Sequence, residues 1–117
     1  MIRIIFSALL TLAPISAHAF DRINDEGAFL ALIAAKSLTN RLYGITLRVT
    51  PEGVIAGDAL GWDVSGAWRW DDGYFCREME WGGDPITYNC QLVEASGNEL
   101  RFTSDQGSGA SASFKLR

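Results

Sequence analysis

Between Trp62 and Cys90 the sequence gathers both of its cysteines, all four of its tryptophans, Arg69 and Arg77, the pair Glu78 and Glu80, and Asp71 followed by Asp72. Trp62, Trp68, Trp70 and Trp81 could form an aromatic platform for a sugar, a peptide or another hydrophobic ligand. Arg69 and Arg77 could clamp a carboxylate or a phosphate, or stack on an aromatic ring. Glu78 and Glu80 stand two apart, on one face of an extended chain, and could serve as paired carboxylates in a hydrolysis. Asp71 and Asp72 offer oxygen ligands. The Gly73 that follows makes turn chemistry sufficient for them, however, and no further ligand spacing supports a metal.

Cys76 and Cys90 are too far apart for the Cys-X-X-Cys spacing of a redox-active pair. In an oxidising compartment they would close a loop of about fifteen residues, worth roughly 3 kcal/mol by chain entropy. The N-terminus points to such a compartment. Met1-Ile2-Arg3 is a short positive start, Ile4 to Ala13 is apolar but too short to span a bilayer, and Ala17-His18-Ala19 places small residues three and one before a cut. Residues 1–19 are therefore expected to be a secretory signal peptide, which leaves the protein periplasmic or secreted.

Cleavage before Phe20 would remove nineteen of the 117 residues and leave 98, with the only histidine, His18, and Arg3 lost. A chain without histidine builds no Ser-His-Asp triad, no Cys-His pair and no His-ligated zinc site. No metal and no cofactor is expected. With 14 acidic against 10 basic residues and a net charge of −4, the chain is a poor match for nucleic acid. No membrane contact is expected once the signal is removed.

These side chains need a frame, and the hydrophobic period supplies one. A helix over about residues 25–38 is expected, capped by Asn24 or Asp25, with Phe29, Leu30, Leu32, Ile33 and Leu38 as its apolar stripe. From Tyr43 the period becomes two. Ile45, Leu47 and Val49 alternate with polar residues, and Pro51-Glu52-Gly53 turns into Val54-Ile55-Ala56. Further strands are expected over Asp63 to Trp70, Tyr74 to Trp81 and Ile86 to Glu94, around Leu100-Arg101-Phe102, and at the end, where Ala110, Ala112, Phe114 and Leu116 share a face. The expected fold is mainly β, a seven-stranded antiparallel meander curled into an open or nearly closed barrel. It carries one N-terminal helix and one disulfide, in a single domain over residues 20–117. Gly57, Gly61 and Gly66 would permit the curl.

Reading Asp71-Asp72-Gly73 as a three-residue hairpin loop sets Trp68 opposite Cys76, and centring the next turn on Gly83 sets Cys76 opposite Cys90. Trp68, Trp70 and the disulfide would then share the core face. Arg69 and Arg77 would lie on the other face beside Phe75. Trp62 and Trp81 lie near strand ends, where either exposure or core packing is open to them. Trp62, Trp81, Arg69, Arg77 and Phe75 are thus the candidate binding surface.

The run from Trp68 to Glu78, with Trp81-Gly82-Gly83, Tyr88-Asn89-Cys90-Gln91 and Arg101 to Gly107, resembles a group of short exported alphaproteobacterial proteins. Those proteins carry the name dihydrodipicolinate reductase. The resemblance covers all of residues 20–117 and implies a reductase using NAD(P)H. Such reductases hold the nucleotide on a G-x-G-x-x-G loop in a Rossmann domain, beside a His-His segment and a lysine. Neither motif stands in this sequence, so no catalytic residue carries over. A looser likeness, of architecture alone, is to small periplasmic β-barrel protease inhibitors with one disulfide. The function expected is that of an exported, non-enzymatic binding or accessory module. Its partner would be a protein or a small apolar or sugar-like ligand. The alternative is an enzyme, either that reductase or a carboxylate-based hydrolase.

Overall fold

The computed structural model describes residues 19–117, so all but the last residue of the expected export signal lies outside the described residues. Strands β1 (Asp21–Arg22), β2 (Leu38–Asn40), β3 (Ile45–Val49), β4 (Val54–Ala59), β5 (Trp62–Asp71), β6 (Tyr74–Trp81), β7 (Asp84–Ser96), β8 (Glu99–Thr103) and β9 (Ser111–Leu116) form one sheet. From β2 onward each strand pairs antiparallel with the next. The last, β9, returns to β2 through Leu38↔Leu116 and Thr39↔Lys115. That pairing closes an eight-stranded barrel, with β1 outside the ring on β7. The mainly β class, one α-helix among the described residues and the disulfide are as expected.

Seven strands were expected and nine form. The two extra, β1 and β2, have two and three residues, too short to show a period of their own. The partner of β1, and one of the two partners of β2, lie far along the chain. The helix is also shorter than the expected 25–38: α1 spans Glu26–Ile33. Asp25 caps it, its carboxylate accepting from Ala28 N at 2.8 Å. Ala34 leaves helical geometry and Ala35 takes a positive φ of 56°. Leu38, read as the end of the apolar stripe, instead starts β2 and is buried between Leu47 and Leu116. Ring closure gives that short segment two ladders of hydrogen bonds, which outweighs the helix propensity of Ala34-Ala35-Lys36.

The β5–β6 register also differs from expectation, with consequences for the site. Asp72 and Gly73 both have positive φ, 51° and 82°, and form a two-residue loop with Asp71 opposite Tyr74. That is the usual conformation for Asp-Gly in a hairpin, because its twist matches that of the strands. The pairs are therefore Trp68↔Arg77, Arg69↔Cys76 and Trp70↔Phe75. A shift of one residue moves every side chain of β6 to the other face. Phe75 and Arg77 point inward with Trp68, and Cys76 points outward.

The expected pairing of Cys76 with Cys90 nevertheless forms, by a different route. Gly82-Gly83 is a two-residue loop too, with Trp81↔Asp84. A β-bulge then sets Thr87 and Tyr88 opposite Glu78, between Met79↔Ile86 and Arg77↔Asn89, and so restores Cys76↔Cys90. Beside the bulge the β5 chain comes very close. A Cβ on Gly66 would collide with the carbonyl oxygen of Glu78 and lie 2.8 Å from Met79 Cγ, so only glycine fits this contact.

Helix α1 closes one end of the barrel. Phe29, with no exposed surface, has its ring 5.4 Å from those of Trp68 and Phe75, 5.3 Å from Trp70 and 6.4 Å from Phe102. Ile33, Val93 and Leu100 extend this plug of apolar side chains.

Candidate functional site

Strands β2, β4 and β6 all run away from the helix, so their turns gather at the opposite end. There the side chains are apolar and uncovered. Leu42 and Tyr43 in the β2–β3 turn, Leu60 in the β4–β5 turn, and Trp62 and Trp81 are all exposed, Trp62 to 62%. Trp81 is fixed by a hydrogen bond from its Nε1 to Ala59 O at 2.8 Å. Trp62 packs over Gly82, the first residue of the β6–β7 turn.

This mouth leads inward. A vestibule of about 310 Å³ has only apolar lining, including Tyr43, Leu60, Val64 and Trp81. An inner chamber of about 240 Å³ lies deeper, among residues that include Ile55, Phe75, Phe102 and Ala112. The two share Leu47, Met79, Ile86 and Phe114 as walls. The barrel is therefore plugged at the helix end and hollow towards the other. A one-ended apolar cavity between strands is the usual form of a small-molecule site in a small barrel.

Two polar side chains face the inner chamber, Arg77 and Gln91. Arg77 is only 8% exposed, and burial lowers its pKa from the ordinary arginine value. Among the described residues one hydrogen bond holds its guanidinium, from Nη1 to Thr87 O at 2.7 Å. The bulge creates that acceptor by diverting Thr87 from the ladder. The two ion pairs among the described residues, Arg69–Asp71 and Arg101–Glu94, leave Arg77 out. Gln91 donates to Ser104 Oγ at 3.2 Å.

The candidate surface does not assemble as one face. Trp62 and Trp81 stand together at the mouth, whereas Phe75, only 4% exposed, and Arg77 lie inside the barrel. Arg69 is outside, donating to Tyr88 Oη at 3.0 Å and 3.7 Å from the Asp71 carboxylate. Glu78 and Glu80 are exposed on the same outer side, in a shallow groove with Thr87 and Tyr88. The disulfide is outside as well, with Cys76 buried beneath its neighbours. Trp68 is buried as expected, its Nε1 donating to Thr50 O at 2.9 Å.

The apolar mouth residues Leu42, Tyr43 and Leu60, and the inward direction of Arg77, were not anticipated. Counting Asp72-Gly73 as a two-residue loop would have revealed the second. Comparison with protein-family models, with curated proteins and with solved structures gives no match. The described pairings are all antiparallel. The described residues thus contain no parallel βαβ unit, the frame that carries a reductase's nucleotide loop.

Proposed function

We propose that the chain is an exported, non-enzymatic binding module that takes a small apolar ligand into its barrel through the mouth opposite the helix. The observation that carries this reading is the continuity of vestibule and inner chamber along the shared walls Leu47, Met79, Ile86 and Phe114. Apolar surface already facing a cavity needs little rearrangement to bury a ligand.

Export is supported by the Ala17-His18-Ala19 site and by the disulfide, which persists in oxidising compartments. Among the described residues, no helix is long and apolar enough to cross a membrane. Phe20, the first residue after the expected cut, packs under Arg101, whose guanidinium carbon is 4.1 Å from its ring centre. The exported protein should begin at Phe20 by mass spectrometry.

Binding is tested with the neutral fluorophore N-phenyl-1-naphthylamine. One probe per barrel should bind saturably, and Met79→Trp, which fills the shared wall, should abolish the signal while the circular dichroism spectrum stays β. Binding that survives Met79→Trp would place the ligand elsewhere. Saturable binding of NADPH or NADH, followed by nicotinamide fluorescence, would favour the reductase reading instead.

A further inference from the structure

Resting on that reading, we infer that the ligand is an amphiphile with an anionic head, a medium-chain carboxylate whose head group is received by Arg77 inside the barrel. The inner chamber is apolar apart from Arg77 and Gln91. An arginine presents five N–H donors in a planar fork. Arg77 has one hydrogen bond to the protein among the described residues, to Thr87 O, and none of its nitrogens is among the fully enclosed atoms without a partner. Its remaining donors are thus not sealed in the wall, and the side chain that carries them lines the chamber.

A cation buried among Phe75, Met79 and Phe102 costs desolvation energy that no neighbouring carboxylate offsets, since neither ion pair of the described residues includes it. A ligand carboxylate would offset it through charge-assisted hydrogen bonds, and Gln91 lies on the same wall, opposite Phe75. The cavity then dictates the rest of the ligand. A methylene occupies somewhat less than the ~30 Å³ share of a water molecule, so 240 Å³ takes a tail on the order of eight carbons. A longer tail would continue past Met79 and Ile86 to the apolar mouth at Trp81.

The test is displacement of N-phenyl-1-naphthylamine by decanoate, by 1-decanol and by decyltrimethylammonium at neutral pH. Wild-type protein should bind decanoate at least about tenfold more tightly than 1-decanol, and should reject the cation. In Arg77→Gln the ratio of decanoate to 1-decanol affinity should fall to about one, through loss of acid binding. Arg77→Lys should keep part of the preference. A merely structural arginine, pinning the bulge at Thr87, would weaken acid and alcohol alike. Equal wild-type binding of acid and alcohol overturns the inference without touching the proposed function, and needs no variant. A preference that persists in Arg77→Gln overturns the role of Arg77. Failure of the probe and all three amphiphiles to bind would remove the apolar-ligand reading itself, and this inference with it.

Discussion

Cys76 and Cys90 face each other on the outside of the barrel, their Cα atoms 3.9 Å apart, while the neighbouring Phe75 and Gln91 point in. The bond thus staples β6 to β7 without taking part in the interior. Opening it should cost roughly 3 kcal/mol, a large share of the ~5–15 kcal/mol typical of a domain. Cys76→Ser combined with Cys90→Ser should lower the thermal midpoint by about 10 °C or more, taking ~4 °C per kcal/mol. Probe binding well below that midpoint should be unchanged. A loss of binding in the folded double variant would mean that the staple shapes the cavity.

Trp68 and Trp70 differ in what their indole N–H groups do. Trp68 Nε1 donates to Thr50 O, tying the β3–β4 turn to the helix end, while buried Trp70 Nε1 has no partner among the described residues. Trp68→Phe should therefore cost about 2 kcal/mol, combining a lost hydrogen bond with lost volume. Trp70→Phe should cost at most about 1 kcal/mol, because it removes an unpaired donor along with its packing on Phe29. Urea melts of both variants check this. Equal losses would show that ring volume alone decides.

The strands from Ile45 to Leu116 were legible because half-buried strands alternate, and because glycine marks their turns. What remained hidden depended on single residues of register. The Asp71-Asp72-Gly73 segment admits a two- or a three-residue loop, and the choice decides whether Arg77 faces water or the chamber. The bulge at Glu78 leaves no mark in the sequence, since Thr87 and Tyr88, which share its place opposite Glu78, continue the run from Ile86 to Glu94 without a break. The disulfide pair was legible only because loop and bulge offset each other by one residue. The strands β1 and β2 belong to tertiary pairing. Nothing local in Asp21-Arg22 announces a partner at Glu94 and Ala95.

Gly66 is required by proximity rather than by backbone angle. A methyl group there would meet the Glu78 carbonyl oxygen and the Met79 side chain. The first is backbone and part of the bulge, so it cannot turn aside. Gly66→Ala should destabilise the domain by about 2–3 kcal/mol, as overpacking does. It should also weaken probe binding, because Met79 walls both chambers. Gly61, whose added Cβ would meet nothing within 4 Å, is the control for space. Its positive φ of 81° should make Gly61→Asn cost under about 1 kcal/mol. A Gly66→Ala protein as stable as wild type would mean that β5 and β6 are not so tightly coiled together.

Phe29 closes the helix end, and its removal separates plug from cavity. Its ring meets Trp68, Trp70, Phe75 and Phe102 at once, so truncation leaves a hole that rigid aromatic neighbours cannot fill. Phe29→Ala should cost about 3–5 kcal/mol, enough to lower the thermal midpoint by more than ~12 °C. Phe29→Leu, which keeps most of the volume, should cost about half as much. Phe75 and Phe102 stand between the plug and the inner chamber, lining one and touching the other. Phe75 and Phe102 can shift into the space that Phe29→Leu opens, so the variant should deepen the chamber and move the preference towards alkyl chains longer by one or two carbons, read by displacing the same probe with acids of increasing length. An unchanged length preference, with the stability loss intact, would show that the aromatic layer seals the two compartments from each other.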